Sequence, residues 1–451
     1  MKVWAFALRS LRRNRRRNVA TATALALGYA GLVLFGSYIA RIEVFLRTTT
    51  VYLQHLGHVA IYKQGGLDQS LARPRAYSLT ASEQQQILSI LRADPRVALA
   101  GRYLRGMGLA GNGCRTLPFR ATGVEPDVFA RLVMHPDVLE VSPSFAHPLK
   151  GRALPDAADV TGAVGLSSGL AHLLGKPRIH DEVGHAVITL VPECGSPSAV
   201  DQIASDANIQ LAAMTFDGSL TAIDGEIVNI FNTPSAETED QTLVTSLDTL
   251  QRLYDTDAVT YISSFLRDHR DAEVVAADLR RQLREHGISA DVFTFDDNRV
   301  NPYYVGSMAF LGSMLLFVGT LVTAVVVLGI MNSVTLTVYE RTREIGTLRA
   351  LGWRRSHVTG LYLREGLILA VIGTMAGTIL ALGVAALVNA ANIRFSPPGV
   401  PGQVQLILQP RLDILFTVAA ILLPLLVLVT WLVARRRVRE PTADLLTATA
   451  T

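Results

Sequence analysis

Cysteine is nearly missing from this chain: Cys114 and Cys194 are its only two, and neither stands in a CxxC. That excludes a cysteine zinc cluster or a thioredoxin-like redox pair. A disulfide between them and two unrelated buried thiols both remain open. Charge is scarce too. Only 18% of residues are charged while 49% are apolar, and a typical soluble domain carries about 25% charge. The net charge of +4 is small, and the basic residues crowd beside apolar runs, which points to a membrane surface rather than nucleic acid. Catalytic signatures are scarce as well: no HExxH occurs. Gly106, Gly108 and Gly111 fit GxGxxG but open no helix, so a turn is expected there. His55/His58 and His180/His185 have no third ligand at metal spacing and read as ordinary histidines. The nearest approach to a P-loop, 169–176, has one residue too many between its glycines and is followed by Pro177 instead of Ser or Thr. No cofactor or metal site is expected in this chain, and energy for any work must come from a partner.

What the chain does have is long apolar runs. Four blocks, at 19–40, 303–338, 366–391 and 414–434, reach the roughly 20 residues that cross a bilayer as helix. The first is too long for the apolar region of a signal peptide, so a retained helix is expected. The second lies in an uncharged stretch, 300–339, about twice the necessary length; a stalk beyond the membrane is expected. Gly373 and Gly377 form a GxxxG suited to close helix packing in the third. Pro424 should kink the fourth, and the SPPGVPG run at 396–402 cannot be helical.

Arginine and lysine set the orientation. Lys2, Arg9, Arg12, Arg13, Arg15, Arg16 and Arg17 precede the first span, and Arg341, Arg343, Arg349, Arg354, Arg355 and Arg364 separate the second from the third. Arg435, Arg436, Arg437 and Arg439 follow the fourth, whereas the loop 392–413 has only Arg394 and Arg411. Both termini are therefore expected in the cytoplasm. Residues 1–18 read as a basic amphipathic helix at the interface, with Trp4, Ala7, Leu8 and Leu11 on one face, and 435–451 as a cytoplasmic tail.

The insert 41–302 falls outside the cytoplasm on this reading. Its texture is α+β, with strand-like runs at 58–62, 186–192 and 226–231 and helical periodicity at 81–94 (Ser82 as N-cap), 243–254 and 272–286. This texture allows two subdomains, with the break expected within 136–155. The expected fold is an α-helical membrane protein of four transmembrane helices with a large extracytoplasmic α+β domain between the first and second.

The strongest local signal is the stretch 331–365, MNSVTLTVYERTREIGTLRALG up to residue 352 and then WRRSHVTGLYLRE, which contains the cytoplasmic segment 339–365 between the second and third spans. It resembles the MacB/LolC/LolE family of ABC-transporter permeases, the FtsX-like permeases, in which E-R-x-R-E-I-G-x-L-x-A-L-G follows the second span on the cytoplasmic side. The matching residues are Glu340, Arg341, Arg343, Glu344, Ile345, Gly346, Leu348, Ala350, Leu351 and Gly352. Independently of the resemblance, Ile345, Leu348 and Leu351 suggest one apolar edge, with Arg341, Arg343, Glu344 and Arg349 as charged rim, suited to a groove on a soluble partner. Stretches at 56–61, 121–127, 224–232 and 244–254, and the tail 434–446, look more loosely like lipoprotein-releasing permeases.

The resemblance implies a permease in the inner membrane, itself non-catalytic, coupled through this segment to a separate ABC ATPase subunit that holds the ATP and magnesium. It implies pairing with a second copy or a related permease, and motion passed to the outer domain to extrude or extract a lipoprotein, lipid or amphiphile. A periplasmic adaptor or lipoprotein carrier would be a further partner. The alternative is a regulator that activates a cell-wall hydrolase, although such permeases usually have a much smaller outer domain.

The arginine asymmetry makes a direct prediction. A cysteine at Ser356 should react with a membrane-impermeant thiol reagent only after lysis, and one at Ser70 in intact cells with a permeabilised outer barrier. Labelling in the opposite order rejects the four-span orientation.

Overall fold

The computed structural model describes residues 15–141, 147–176, 202–233, 235–395 and 404–439. The expected interfacial helix before Arg15, the strand at 186–192, His180, His185, the SPPGVPG loop and the tail beyond 439 lie outside the described residues. Besides short turns, the helices are α1 (Arg15–Thr48), α2 (Ala81–Ala93), α3 (Pro126–Val133), α4 (Leu247–Tyr254), α5 (Ala272–Glu285), α6 (Pro302–Glu340), α7 (Thr342–Ala350), α8 (Arg355–Ala390) and α9 (Leu412–Val438). The main strands are β1 (Val59–Lys63), β2 (Val97–Gly111), β3 (Thr116–Val124), β4 (Lys150–Gly151), β5 (Ala163–Ser167), β6 (Asn208–Met214), β7 (Leu220–Phe231), β8 (Thr242–Ser246), β9 (Tyr261–Leu266) and β10 (Ala290–Thr294).

The chain forms two compact units: residues up to 43, 308–395 and from 405 onward in one, and 44–307 in the other. In the first unit, α1, α6, α8 and α9 are long and apolar enough to cross a membrane. They run past the apolar blocks because a helix need not stop where hydrocarbon does; α8 already begins at Arg355. Hydroxyls within them return their hydrogen bond to the preceding turn, Ser37 to the Val33 carbonyl at 2.7 Å and Thr430 to that of Leu426 at 2.8 Å. That satisfies them without water. Gly373 and Gly377 lie against α1, where an added Cβ would stand 2.6 Å from Leu25 Cδ2 and 2.8 Å from the Ala26 carbonyl. The GxxxG is thus the close approach of α8 to α1. Tyr29, Val33, Ala381 and Leu422 form a buried cluster at this level, and the Tyr29 hydroxyl donates across to the Leu415 carbonyl at 2.9 Å. The helix α9 continues through Pro424.

In the second unit one sheet runs in the order β10-β1-β9-β2-β3-β8-β5-β7-β4, with β6 pairing β2 and β7. Most pairs are antiparallel, while β3 with β8 and β5 with β7 are parallel. One sheet spans both sides of 136–155, so the described residues are not divided there; residues 142–146 lie outside them. The strand expected at 58–62 is β1, and that at 226–231 is the end of β7. Two local expectations are corrected. The periodicity at 243–254 is two elements, with 242–246 paired into the sheet and helix beginning at Leu247, because the buried run Leu243-Val244-Thr245 serves a core strand as well as a helix face. The N-cap of α2 is Thr80 rather than Ser82. Its hydroxyl accepts from the Glu83 amide while the Glu83 carboxylate accepts from the Thr80 amide, a capping box.

The GxGxxG is not a turn. It is the second half of β2. Gly106 faces the ring of Tyr254, whose hydroxyl donates to the Met107 carbonyl at 2.9 Å, and a Cβ on Gly108 would stand 2.5 Å from the Ala212 carbonyl. The turn itself, 112–115, carries Cys114, which is disulfide-bonded; the chain has one other cysteine, Cys194, outside the described residues.

Ser70 is 6% exposed, so the labelling cysteine belongs at the exposed neighbour Gln69. Gly106→Ala should overpack β2 against Tyr254 at about 1–3 kcal/mol. Faster amide exchange over 103–111 in the full-length protein is the expected readout; unchanged exchange would mean that Tyr254 moves aside freely.

Candidate coupling segment

The segment between α6 and α8 is a helix of two and a half turns held from both ends. Arg341 breaks α6 and leads into α7, and the Thr342 hydroxyl donates to the Tyr339 carbonyl at 2.7 Å. At the far end Gly352 adopts φ +88. The Gly352 amide donates to the Arg349 carbonyl at 3.0 Å, and that of Trp353 to the Leu348 carbonyl at 3.1 Å. This pair of bonds is the Schellman closure, which needs a left-handed residue and so explains the glycine that ends the motif.

The interior of the segment is built from two contacts. Ile345 is 0% exposed and packs with Val338, Val358, Tyr362, Ala434 and Val438, with Leu348 partly buried against them. Beside it Arg341 Nη1 lies 3.2 Å from Glu365 Oε1, with side chains 10% and 9% exposed. Arg349 adds a hydrogen bond to the Val438 carbonyl at 3.2 Å. The segment is therefore fastened to α6, α8 and α9 by an apolar plug and a buried ion pair.

The single outward apolar edge read from the sequence is not what forms. Ile345 points into the chain's own core, Leu348 is shared, and Arg341 is engaged with Glu365 rather than set on a rim. Gly346 is buried; Glu340, Glu344, Ala350, Leu351 and Gly352 are exposed. Arg343 falls in the first turn of α7, its side chain lying outside what the structure describes. Leu351 is 73% exposed and Trp353 43%, and Arg354, Arg355 and His357 continue the exposed run. Sequence reasoning missed Glu365, the residue 24 positions from its partner; its only signal was a lone carboxylate at the head of an apolar block. Among the described residues no cluster of His, Cys, Asp or Glu is arranged to hold a metal.

Residues 316–442 match the FtsX-like permease C-terminal family. That part of the chain is similar to the C-terminal domain of FtsX-like permeases. It covers α7 and the spanning helices from within α6 to α9. Among curated relatives, the pyoverdine export ATP-binding/permease protein PvdT of Pseudomonas syringae pv. syringae (strain B728a) is 31% identical over 154 residues, 34% of this chain and 23% of that protein. The macrolide export ATP-binding/permease protein MacB of Bordetella avium (strain 197N) is 33% identical over 117 residues, 26% of this chain and 18% of that one. The chain thus aligns with less than a quarter of the length of either relative. The periplasmic region of MacB from Actinobacillus actinomycetemcomitans aligns with 53% of this chain and 88% of its own, at 12% identity and a TM-score of 0.32.

Removing one partner of a buried ion pair strands the other charge, at about 3–5 kcal/mol. Arg341→Ala should accordingly lower the melting temperature of the permease in nanodiscs, and the exchange Arg341→Glu with Glu365→Arg should recover part of the loss. An Arg341→Ala protein that melts like wild type would show that the pair does not hold α7.

Proposed function

We propose that this chain is the membrane permease of an ABC exporter, driven by ATP hydrolysis in a partner ATPase and working by motion passed to its inserted domain. The observation that carries this reading is the exposed turn Leu351–Trp353 and the arginines after it, rigidly presented by an FtsX-like permease domain. A tryptophan followed by arginines, held on a packed scaffold, is the composition of an interface hot spot, and Leu351 beside them adds apolar contact area. The permease domain of such exporters works with an ATPase, and the ATP and magnesium belong there, on the partner chain.

Orientation follows from the arginine asymmetry, with both termini cytoplasmic and the insert outside an inner membrane. The disulfide at Cys114 suits a compartment outside the cytoplasm. The helix α6 supports a lever: its 39 residues extend about 58 Å at 1.5 Å per residue, against a hydrocarbon core of about 30 Å. Phe310, Leu316, Phe317 and Val325 on α6 are 62–72% exposed, and only 11% of its apolar window is covered by the chain itself. Lipid and a second permease are the coverings such a face accepts. An apolar groove of about 930 Å3 lined by α1, α6 and α9 favours a lipid or amphiphile as cargo, a lipoprotein included. A lipoprotein carrier or periplasmic adaptor would then receive it.

Leu351→Asp and Trp353→Ala test the docking turn. Each side chain is exposed, so the permease should insert and accumulate normally, while affinity for the ATPase falls about 30-fold or more if these are hot spots. Co-purification and permease-stimulated ATPase activity in nanodiscs give the readout. Leu348→Asp is the wrong probe, because Leu348 also packs on Ile345. Full stimulation by both variants would move the coupling contact elsewhere.

A further inference from the structure

We propose that the inserted domain carries a binding site for a small anion-headed amphiphile, in the cleft between β2, β3 and the segment 231–244, with Arg105 and Arg120 holding the headgroup. This site stands apart from the docking turn and does not depend on the ATPase reading. The cleft has a volume of about 360 Å3, within the range that takes a small ligand. Arg105 pairs across the ladder with Thr122, and Met107 with Arg120. The two arginines are therefore diagonal neighbours on one face of the sheet, about 7–8 Å apart at the backbone, a separation that two long side chains can close on a single headgroup.

Charge is what distinguishes the cleft. Among the described residues, none that lines it is Asp or Glu, and neither arginine has a carboxylate partner. Arg105 is partly buried, its guanidinium resting 4.9 Å above the Tyr261 ring. That ring belongs to a stack of Tyr62, Tyr261, Tyr103 and His55 with centroids 5.0, 5.2 and 5.5 Å apart. A tyrosine face offsets only part of the desolvation of a cation, and the fork of Arg105 remains available to a planar or tetrahedral anion. His55 adds no charge: burial, helped by Arg105, holds it down at about 3. Glu239, between the lining residues Thr238 and Thr242, has its oxygens engaged by Thr233, Ser168 and the Gly169 amide. A larger cleft of about 580 Å3 elsewhere in the domain lacks this feature, because its Arg102 is bound 2.6 Å from Glu125.

The remaining wall supplies the apolar half. Leu53, Phe231 and Val244 line the interior, and Leu71 and Met107, 52% and 49% exposed, stand at the mouth. An inorganic anion would leave these residues wet, and a neutral amphiphile would leave the arginines unmatched. One anionic headgroup on a short alkyl or aryl body fits both.

The test is calorimetric titration of the purified full-length protein in zwitterionic nanodiscs, with empty nanodiscs as reference. The probes are hexyl phosphate, hexanol and inorganic phosphate. Saturable binding of hexyl phosphate, at least tenfold tighter than either fragment, is expected, weakening at least tenfold in Arg105→Gln and severalfold in Arg120→Gln. Arg120 is exposed, so its variant keeps the question answerable if Arg105→Gln misfolds. Inorganic phosphate binding as tightly as hexyl phosphate would overturn the amphiphile. Hexyl phosphate binding equally to wild type and Arg120→Gln, or failing to saturate, would overturn the site.

Discussion

The plug of Ile345 and the ion pair beside it are what the architecture between α6 and α8 depends on. A short helix of nine residues is marginal alone in water, and α7 would have no fixed direction if it were held only by its chain ends. Burying Ile345 among side chains of α6, α8 and α9 gives it one. The Arg341–Glu365 pair then fixes the start of the segment against α8. Such a pair contributes less to net stability than to geometry, since its desolvation offsets much of its attraction. With both in place, the turn at Leu351–Trp353 follows directly on a helix packed against α6, α8 and α9.

The same division between buried fastening and exposed contact explains what was legible in the sequence. The spans were readable because hydrocarbon demands long uncharged runs and tolerates little else. Their ends were not, since α1 and α8 continue into segments that composition assigns to flanking loops. The apolar spacing of Ile345, Leu348 and Leu351 correctly gave a helix but could not say which apolar side chain met the chain's own core. Periodicity reports that a face is apolar and is silent about what covers it. Glu365 was invisible for a related reason: a contact over 24 residues leaves no local pattern.

In the inserted domain the errors fall where two elements share one signal. Residues 243–246 alternate poorly because β8 is buried on both sides, and a fully buried strand running into an amphipathic helix reads as one long helix. The glycines of β2 mimic a phosphate loop because both structures need a backbone without Cβ. In a nucleotide site the space admits a ligand, whereas here it admits the rings of Tyr254 and Phe119. A glycine pattern identifies a close approach and leaves its partner to be found.

Two arginines show how burial separates architecture from recognition. Arg341 and Arg105 are both withdrawn from water, and each needs a counterpart. Arg341 meets a carboxylate of its own chain, so its charge is satisfied before any partner arrives, and it serves to hold a helix. Arg105 meets a tyrosine, which leaves its guanidinium without a carboxylate acceptor among the described residues. The chain could have met that need with one acidic residue on the cleft wall, as it does at Arg102 with Glu125. Its absence among the described residues lining a cleft that is otherwise apolar and hydroxyl-bearing leaves the anion to come from solution, and makes the domain a place where a charged amphiphile is recognised by its head and its body together.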